Sequence, residues 1–495
     1  MTTVAYLDHA ATTPPDPRVV AEMTAVLAAG GANPAAIHSA GRAAAARIEA
    51  ARADVAALVG AAPRDVVFTS GATEANNLAI LGHAQAWAAT QGRPGHLVSL
   101  ATEHKSVLAP LRRLKAQGWR VTLLQPARDG RLSPEALAAV IEPDTALASL
   151  LWVNNETGVR QDVAALHEVC RAHGVAMHVD AAQAAGKEPV AAEGIDYLVF
   201  TAHKFGGPQG IGALVVAPGR RAQLAPQIVG GGQERGLRSG TPAEHQIAGF
   251  AAACRIARAE GPAEAARLGR LRDRLWQGLA ELPGAELNGH PTERVCGILN
   301  VTFAGVEGES LYAGLTEIAV SPGSACDSAT GEPSFVLRAL GRDREAAQSS
   351  IRFSLGRTTT ETDIDLAIAA VRREHARLHA LSPERPPPVD DWATGGGQIV
   401  QGEAGARRTG TWVRWLWRIE ADAIAEARYQ AYGGPAVLAA LPQIAASLRG
   451  LRRGEALPGG PAQWLEAVNS PVEKLGAMLI IEDAAHAAMA AWSAR

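Results

Sequence analysis

Two ionisable residues close neighbouring apolar runs: Asp180 ends VAMHVD (175–180), and Lys204 follows YLVF (197–200) inside TAHKFGGPQGIGAL (201–214). A carboxylate at the end of a strand can pair with a cationic ring nitrogen, and Gln183 in the AAQ that follows can reach another polar atom of the same ligand. Taken singly, each has a plainer reading: Asp180 caps the next helix, and a lysine after a buried strand usually snorkels to solvent. Taken together they suit pyridoxal phosphate, the carboxylate holding the pyridinium and the amine combining with the aldehyde. TSGATEANN (69–77) opens a helical stretch, so Gly71, Ala72 and Thr73 offer backbone N–H groups and a hydroxyl to a phosphate, although the same residues also read as ordinary capping. Cys326 sits in AVSPGSACDSATGEPS (319–334), whose small and turn-forming residues predict a loop that can carry a reactive thiol. The alternative for any cysteine is an inert buried thiol.

The elements that must position these residues are legible as an alternation of short apolar runs and helical stretches. VVFT (66–69), HLVSL (96–100), RVTLL (120–124), ALASLLWV (146–153), VAMHVD (175–180), YLVF (197–200) and GALVV (212–216) read as strands buried on both faces. That pattern predicts an α/β chain with a mostly parallel sheet wrapped by helices, in which ligands sit at the carboxyl ends of the strands. The stretch 259–381 differs, with a charged helix expected near 262–281 and strands at ILNVTF (298–303) and IRFSL (351–355). It is read as a second, smaller α/β domain that also takes up the N-terminal segment, leaving a large domain over about 15–258. LSPERPPPVDDWATGGGQ (381–398) is proline-rich and then glycine-rich, so 382–404 is expected to be a linker. A separate module over 405–495 follows, with a strand at TWVRWLWRIE (411–420) and a helix at EDAAHAAMAAW (482–492).

In order along the chain, TSGATEANNLAI, TEHKSV, NNETGV, HVDAAQ, AHKFGGPQGIGAL, RSGTP, SPGSAC and IRFSLGR resemble the cysteine desulfurases. These belong to the class V aminotransferase group of fold-type I pyridoxal-phosphate enzymes, and the similarity runs from about residue 4 to 380. The resemblance implies an enzyme that converts L-cysteine to L-alanine and takes the sulfur onto Cys326 as a persulfide. It implies that Lys204 binds the cofactor aldehyde, Asp180 pairs with the pyridine nitrogen, and Gln183 meets the phenolic oxygen. His104 would stack on the ring and move protons. Ala72, Thr73, His203, Thr201 (where many relatives have Ser) and Thr241, reaching in from a second subunit of a homodimer, would hold the phosphate. Asn155 would approach cofactor and substrate, and Arg352 with Asn33 would clamp the substrate carboxylate through the planar guanidinium fork. The SPGSAC string resembles the long-loop group, which hands its persulfide to partner proteins; Asp327 stands where many relatives carry Thr. His9 and His38 lie in family-like strings, where lining the site entrance and purely structural roles are both open.

More weakly, 405–495 resembles the U-type iron–sulfur scaffold protein, an α+β partner of desulfurases, through IAEARYQAYGGPAVLAALPQIAASLRG (424–450) and PVEKLGAMLIIEDAAHAAM (471–489). Where such scaffolds carry three cysteines, an Asp and a His, this chain has Thr409, Gly434, Ala477, Thr411 and Gly476, none of which binds iron as thiolate or imidazole does. The module is therefore expected to have a docking or regulatory role and not to build a cluster, with a vestigial or purely stabilising domain as the alternative.

Composition narrows the alternatives. A net charge of −3 over 495 residues argues against a general nucleic-acid binder. The first 20 residues lack a basic start followed by an apolar run, and no later stretch reaches the ~20 apolar residues of a membrane span, so a soluble cytoplasmic protein is expected. Four cysteines, Cys170, Cys254, Cys296 and Cys326, form no CxxC pair and no zinc-like spacing, so neither a disulfide framework nor a metal site is expected. Cys170 and Cys254 read as helix or core residues. Selenocysteine lysis or transamination with the same cofactor, and a non-catalytic sulfur-relay platform, stand as the competing readings.

Overall fold

The structure, a computed structural model, describes residues 4–322, 333–381 and 397–494. Its centre is a seven-stranded sheet ordered Val66–Thr69, Gly212–Val216, Tyr197–Thr201, Ala176–Asp180, Thr145–Leu151, His96–Leu100, Arg120–Leu124. The last five strands pair in parallel, and only Gly212–Val216 runs antiparallel to both neighbours. Alternate side chains feed two cores. Leu198, Phe200, Val179 and Leu150 pack under one layer of helices, while Tyr197, Val199, Leu147 and Leu97 pack under the other. Burial on both faces is what continuous β-branched and aliphatic runs produce. Arg120–Leu124 departs from the expectation: it lies at one edge of the sheet, and Leu123 is exposed.

The smaller domain is built on an antiparallel sheet ordered Ser321–Pro322, Ser350–Ser354, Ile298–Phe303, Ala285–Leu287. The N-terminal strand Ala5–Tyr6 joins it by pairing in parallel with Ile318–Ala319. No break marks the boundary expected at 258. Glu244–Ala280 is one helix with Pro262 inside it; Phe250 and Cys254 enter the large core, and Leu268, Leu271, Leu275 and Leu279 enter the small one. The closing helix Glu361–Ala380 starts at a reciprocal cap between Thr360 and Asp363, which satisfies two of its free amide groups.

Part of the expected linker, 382–396, lies outside the described residues, and the remainder is not a linker: a strand begins at Gln398 and runs to Ala406. It pairs with Thr411–Glu420, which pairs with Ala423–Tyr432, all antiparallel. The sequence reading missed this first strand because its outward residues are Gly, Gln and Glu, a composition that also reads as loop. Helices Pro435–Leu448, Pro461–Ala467 and Leu475–Ser493 cover the sheet, and Trp415, Trp417 and Trp492 are fully buried between them. No helix among the described residues is long and apolar enough to cross a membrane.

Candidate active site

Parallel strands deliver their last residues to one edge of the sheet. There, between the sheet and the smaller domain, a cavity of about 670 Å³ is lined by Ala72, Thr73, His104, Asn155, Asp180, Gln183, Thr201, His203, Lys204 and Arg352. Ten of the thirteen residues expected at the site are thus brought together in one chain.

Asp180 ends its strand with a carboxylate that accepts from Asn76 Nδ2 at 2.8 Å and from the Ala182 amide at 2.9 Å. Asn76 is itself fixed from below, because its Oδ1 meets His178 Nε2 at 3.0 Å and His178 Nδ1 meets Ser149 Oγ at 2.8 Å. Burial pushes His178 down to about 4, so its ring is neutral. Lys204 sits in the turn after Tyr197–Thr201, and its Nζ donates to the carbonyls of Ala10 and Ala11, both at 2.7 Å. The N-terminal segment therefore supplies the floor on which the amine rests.

His104 caps the helix Lys105–Ala116. Its Nδ1 accepts from the Ser106 amide at 3.1 Å and meets Ser106 Oγ at 2.8 Å, which places the ring proton on Nε2. Burial, and then Lys204 and Lys105, lower its pKa against the opposing pull of Asp180. The group is a neutral imidazole with one N–H.

The residues expected to hold a phosphate stand at the start of the helix Ala72–Gln91. Gly71 takes a φ of +152°, and a Cβ on Gly212 would stand 2.8 Å from Gly71, so both positions need glycine. Glu74 does the capping, accepting from the Ser70 amide at 2.7 Å and pairing with Arg238 at 2.9 Å, while Thr73 remains exposed in the cavity. His203 Nδ1 lies 3.2 Å from Thr12 Oγ1 and is pushed down to about 4 by burial and the two lysines, Lys204 and Lys187.

Arg352, on the strand Ser350–Ser354, is 2% exposed and is held by Asp8 Oδ1 at 2.8 Å and the Asn155 carbonyl at 2.9 Å. Its Nε has no partner among the described residues. Ser321 donates to the same Asp8 oxygen at 2.8 Å.

Three expected residues are not in this cavity. Asn33 is exposed and its Oδ1 accepts from the Ala35 amide at 2.9 Å; Thr241 is exposed. Cys326 lies outside the described residues. On the far side of that segment, Ser334 donates to Glu156 and Phe335 lines the cavity. His38 caps the helix Ser39–Leu58, and buried His9 packs edge-on against Tyr6, so neither lines the main cavity. Cys170 and Cys254 are buried in helices, and burial pushes the Cys170 thiol up to about 12. Sequence reasoning missed Asp8, Asn76, Glu103 and His178. Asn76, Glu103 and His178 stand inside TSGATEANN, TEHKSV and VAMHVD, but nothing in a string says which neighbour faces the ligand.

The class V aminotransferase family model matches residues 5–366. Cysteine desulfurase IscS of Methylococcus capsulatus is 52% identical over 381 residues, 76% of this chain and 94% of the relative. The enzyme of the same name from Dechloromonas aromatica is 50% identical over the same shares. Among solved structures, a NifS-like protein superimposes with a TM-score of 0.70 at 34% identity, covering 76% of this chain and 99% of that one. DndA from Streptomyces lividans gives 0.61 at 40% identity, covering 71% and 99%.

Proposed function

The chain belongs to the class V aminotransferase family and, within it, to the cysteine desulfurases, and on that premise we propose how its own residues move sulfur from L-cysteine to Cys326. The enzyme uses pyridoxal phosphate, and the cavity suits that cofactor. Asp180 takes hydrogen bonds from neutral donors, so its charge is available to a ring cation; Lys204 offers an amine; the glycine-shaped helix start, with Thr73 and His203 beside it, offers a phosphate cup. When bound, the cofactor supplies an electron sink that loosens bonds at the substrate α-carbon.

Arg352 receives the substrate carboxylate, its plane already fixed by Asp8 and the Asn155 carbonyl and its Nε still in reserve. His104 and Lys204 carry protons to and from the substrate carbons, His104 through Nε2. The Cys326 thiolate attacks the substrate sulfur, an S–S bond forming as the C–S bond breaks. The departing electron pair stays on carbon, which is protonated and leaves as alanine. Net, one cysteine side chain gains a sulfur atom and one substrate C–S bond becomes C–H. The observation that carries this reading is the convergence of Lys204, Asp180 and Arg352 in a single cavity whose rim includes Phe335, nine residues after Cys326 in sequence. Holoenzyme with Cys326→Ala is expected to keep its visible cofactor absorption and lose sulfide and alanine production from cysteine. Turnover that survives the substitution would favour transamination or selenocysteine lysis.

We read the molecule as a cytoplasmic homodimer, with Thr241 serving the partner's phosphate site, and the C-terminal module as a cis-docked domain related to iron–sulfur scaffolds. The loop and helix starts bearing Thr409, Gly434 and Gly476 turn towards the smaller domain. Arg407 pairs with Glu345 at 2.5 Å, Ser310 Oγ donates to the Gly433 carbonyl at 2.9 Å, and Lys474 pairs with Glu309 at 3.0 Å. A domain held this way occupies its surface at high effective concentration, so a separate sulfur acceptor is expected to use another face or to displace it.

A further inference from the structure

Behind the main cavity lies a smaller one of about 100 Å³, and Ala10 and Lys204 line both. Gln183, 4% exposed, lines the front cavity; Lys187 lines the rear one, and its Nζ donates to Gln183 Oε1 at 2.7 Å. The other end of that amide, Nε2, donates to the Ala10 carbonyl at 2.8 Å, the same carbonyl that accepts from Lys204 at 2.7 Å.

An ammonium group only donates, so the amide facing it must present its oxygen. The NH2 end is thereby turned towards Ala10 and the front cavity. One of its two hydrogens goes to Ala10 and the second is left for an acceptor in that cavity. Without the lysine, an amide can flip and set its oxygen against whatever acceptor stands there. We propose that Lys187 is a positioning residue which, from the rear cavity, locks the Gln183 amide so that an N–H is presented to the phenolic oxygen of the bound cofactor. The inference rests on reading the front cavity as the cofactor site.

The surroundings of Lys187 suit a group whose charge is held loosely. Burial, Lys204 and Arg352 push its ammonium down to about 7, against the weaker pull of Cys296 and Glu188, and Lys187 in turn lowers His9 and His203. The lock is therefore strongest below about pH 7. Losing either the lock or the charge acts in one direction: a phenolic oxygen facing an acceptor, with one cation fewer nearby, holds its shared proton more tightly. The visible absorption of the bound cofactor should then titrate at higher pH.

The test is a pH titration of that absorption in full-length holoenzyme, with cofactor affinity measured by equilibrium dialysis. Lys187→Met is expected to raise the midpoint by about one pH unit, tenfold in the proton equilibrium, and to weaken cofactor binding. Lys187→Arg, which also only donates, should keep the wild-type midpoint. In a Gln183→Ala background, Lys187→Met should add a clearly smaller shift, only that of the lost charge, because the part that acts through the amide disappears with it. An unshifted midpoint in Lys187→Met, or an equal shift with and without Gln183, overturns the proposal. If Lys187→Met yields no folded holoenzyme, Lys187→Gln is read in the same way: it can meet the amide from either side and so should shift the midpoint in the same direction. The site reading has its own control, since cofactor that stays covalently attached (trapped by borohydride reduction) in Lys204→Ala would remove the cofactor-site assignment, whereas a wild-type titration in Lys187→Met removes only the lock.

Discussion

Beneath the ligand-facing residues sits a second set that solvent never touches. Glu103 is fully buried beside Asp180, accepts from the Leu151 amide at 2.6 Å, and has no partner for Oε2 among the described residues. Burial first, and the neighbouring Asp180 second, hold its carboxyl well above its usual range, which favours the protonated form. Above pH 4.5 the unfolded chain releases this proton and the folded one keeps it. The folded state then binds more protons, and stability falls as pH rises from that point until the folded group titrates. Glu103→Gln mimics the protonated form. Compared with wild type in urea denaturation of the holoenzyme, it is expected to be more stable at neutral pH and to lack this part of the decline; parallel pH profiles would show that Glu103 is ionised in the folded protein. A related expectation concerns His104, whose neutral Nε2–H is poised for proton transfer. His104→Gln should lower kcat by roughly two to four orders of magnitude, a loss that saturating cofactor does not restore.

At the level of elements, the spacing of small residues decides how closely layers approach. In the C-terminal module the helix Leu475–Ser493 lies directly on the strand Gln398–Ala406, and a Cβ on Gly402 would stand 2.0 Å from the Ala488 amide nitrogen and 2.5 Å from the Ala484 carbonyl. Backbone cannot give way as a side-chain tip does. Gly402→Ala is therefore expected to cost the module about 1–3 kcal/mol, read as an early unfolding step in tryptophan fluorescence, since Trp415, Trp417 and Trp492 are buried there. An unchanged transition would mean that the helix slides away at little cost. The same contact explains why the strand was hard to read: the glycine that admits the helix also gives the segment the composition of a loop. Strands buried on both faces, such as Tyr197–Thr201 and Gly212–Val216, were legible within a residue because every position had to be apolar. The boundary expected near 258 leaves no local mark, because the helix runs through it and the change from one core to the other falls between Cys254 and Leu268. Apolar periodicity continues through Glu244–Ala280, and only the identity of the core changes along it.

For the whole molecule, the question is what fixes the C-terminal module to the enzyme. The Lys474–Glu309 pair is roughly half exposed on both sides, and such pairs contribute about 0–1 kcal/mol. Leu438 is different: it packs against the cores of both the module and the smaller domain. Putting an unpaired charge there costs several kcal/mol, so Leu438→Asp should release the module, seen as a larger radius of gyration in solution scattering and faster proteolysis near residues 382–396. Glu309→Ala should leave both unchanged. Retained compactness in Leu438→Asp would place the docking energy elsewhere, in the buried Ser310–Gly433 hydrogen bond and its surroundings.

The strands and their mostly parallel pairing were written in the chain itself, and so was the placement of an Asp at one strand end and a Lys after the next, because each asks for particular residue types at particular spacings. Those demands act locally along the polymer, so Asp180, Lys204 and the expected parallel sheet could be read without coordinates. Partnership across the fold is another matter. That Ala10 and Ala11 floor the lysine, that Asp8 braces Arg352 from 344 residues away, and that Lys187 reaches Gln183 from behind depend on which side chains converge when the sheet closes. Hydrogen bonds of this kind carry no periodic signal, since any polar residue suits them until packing chooses one.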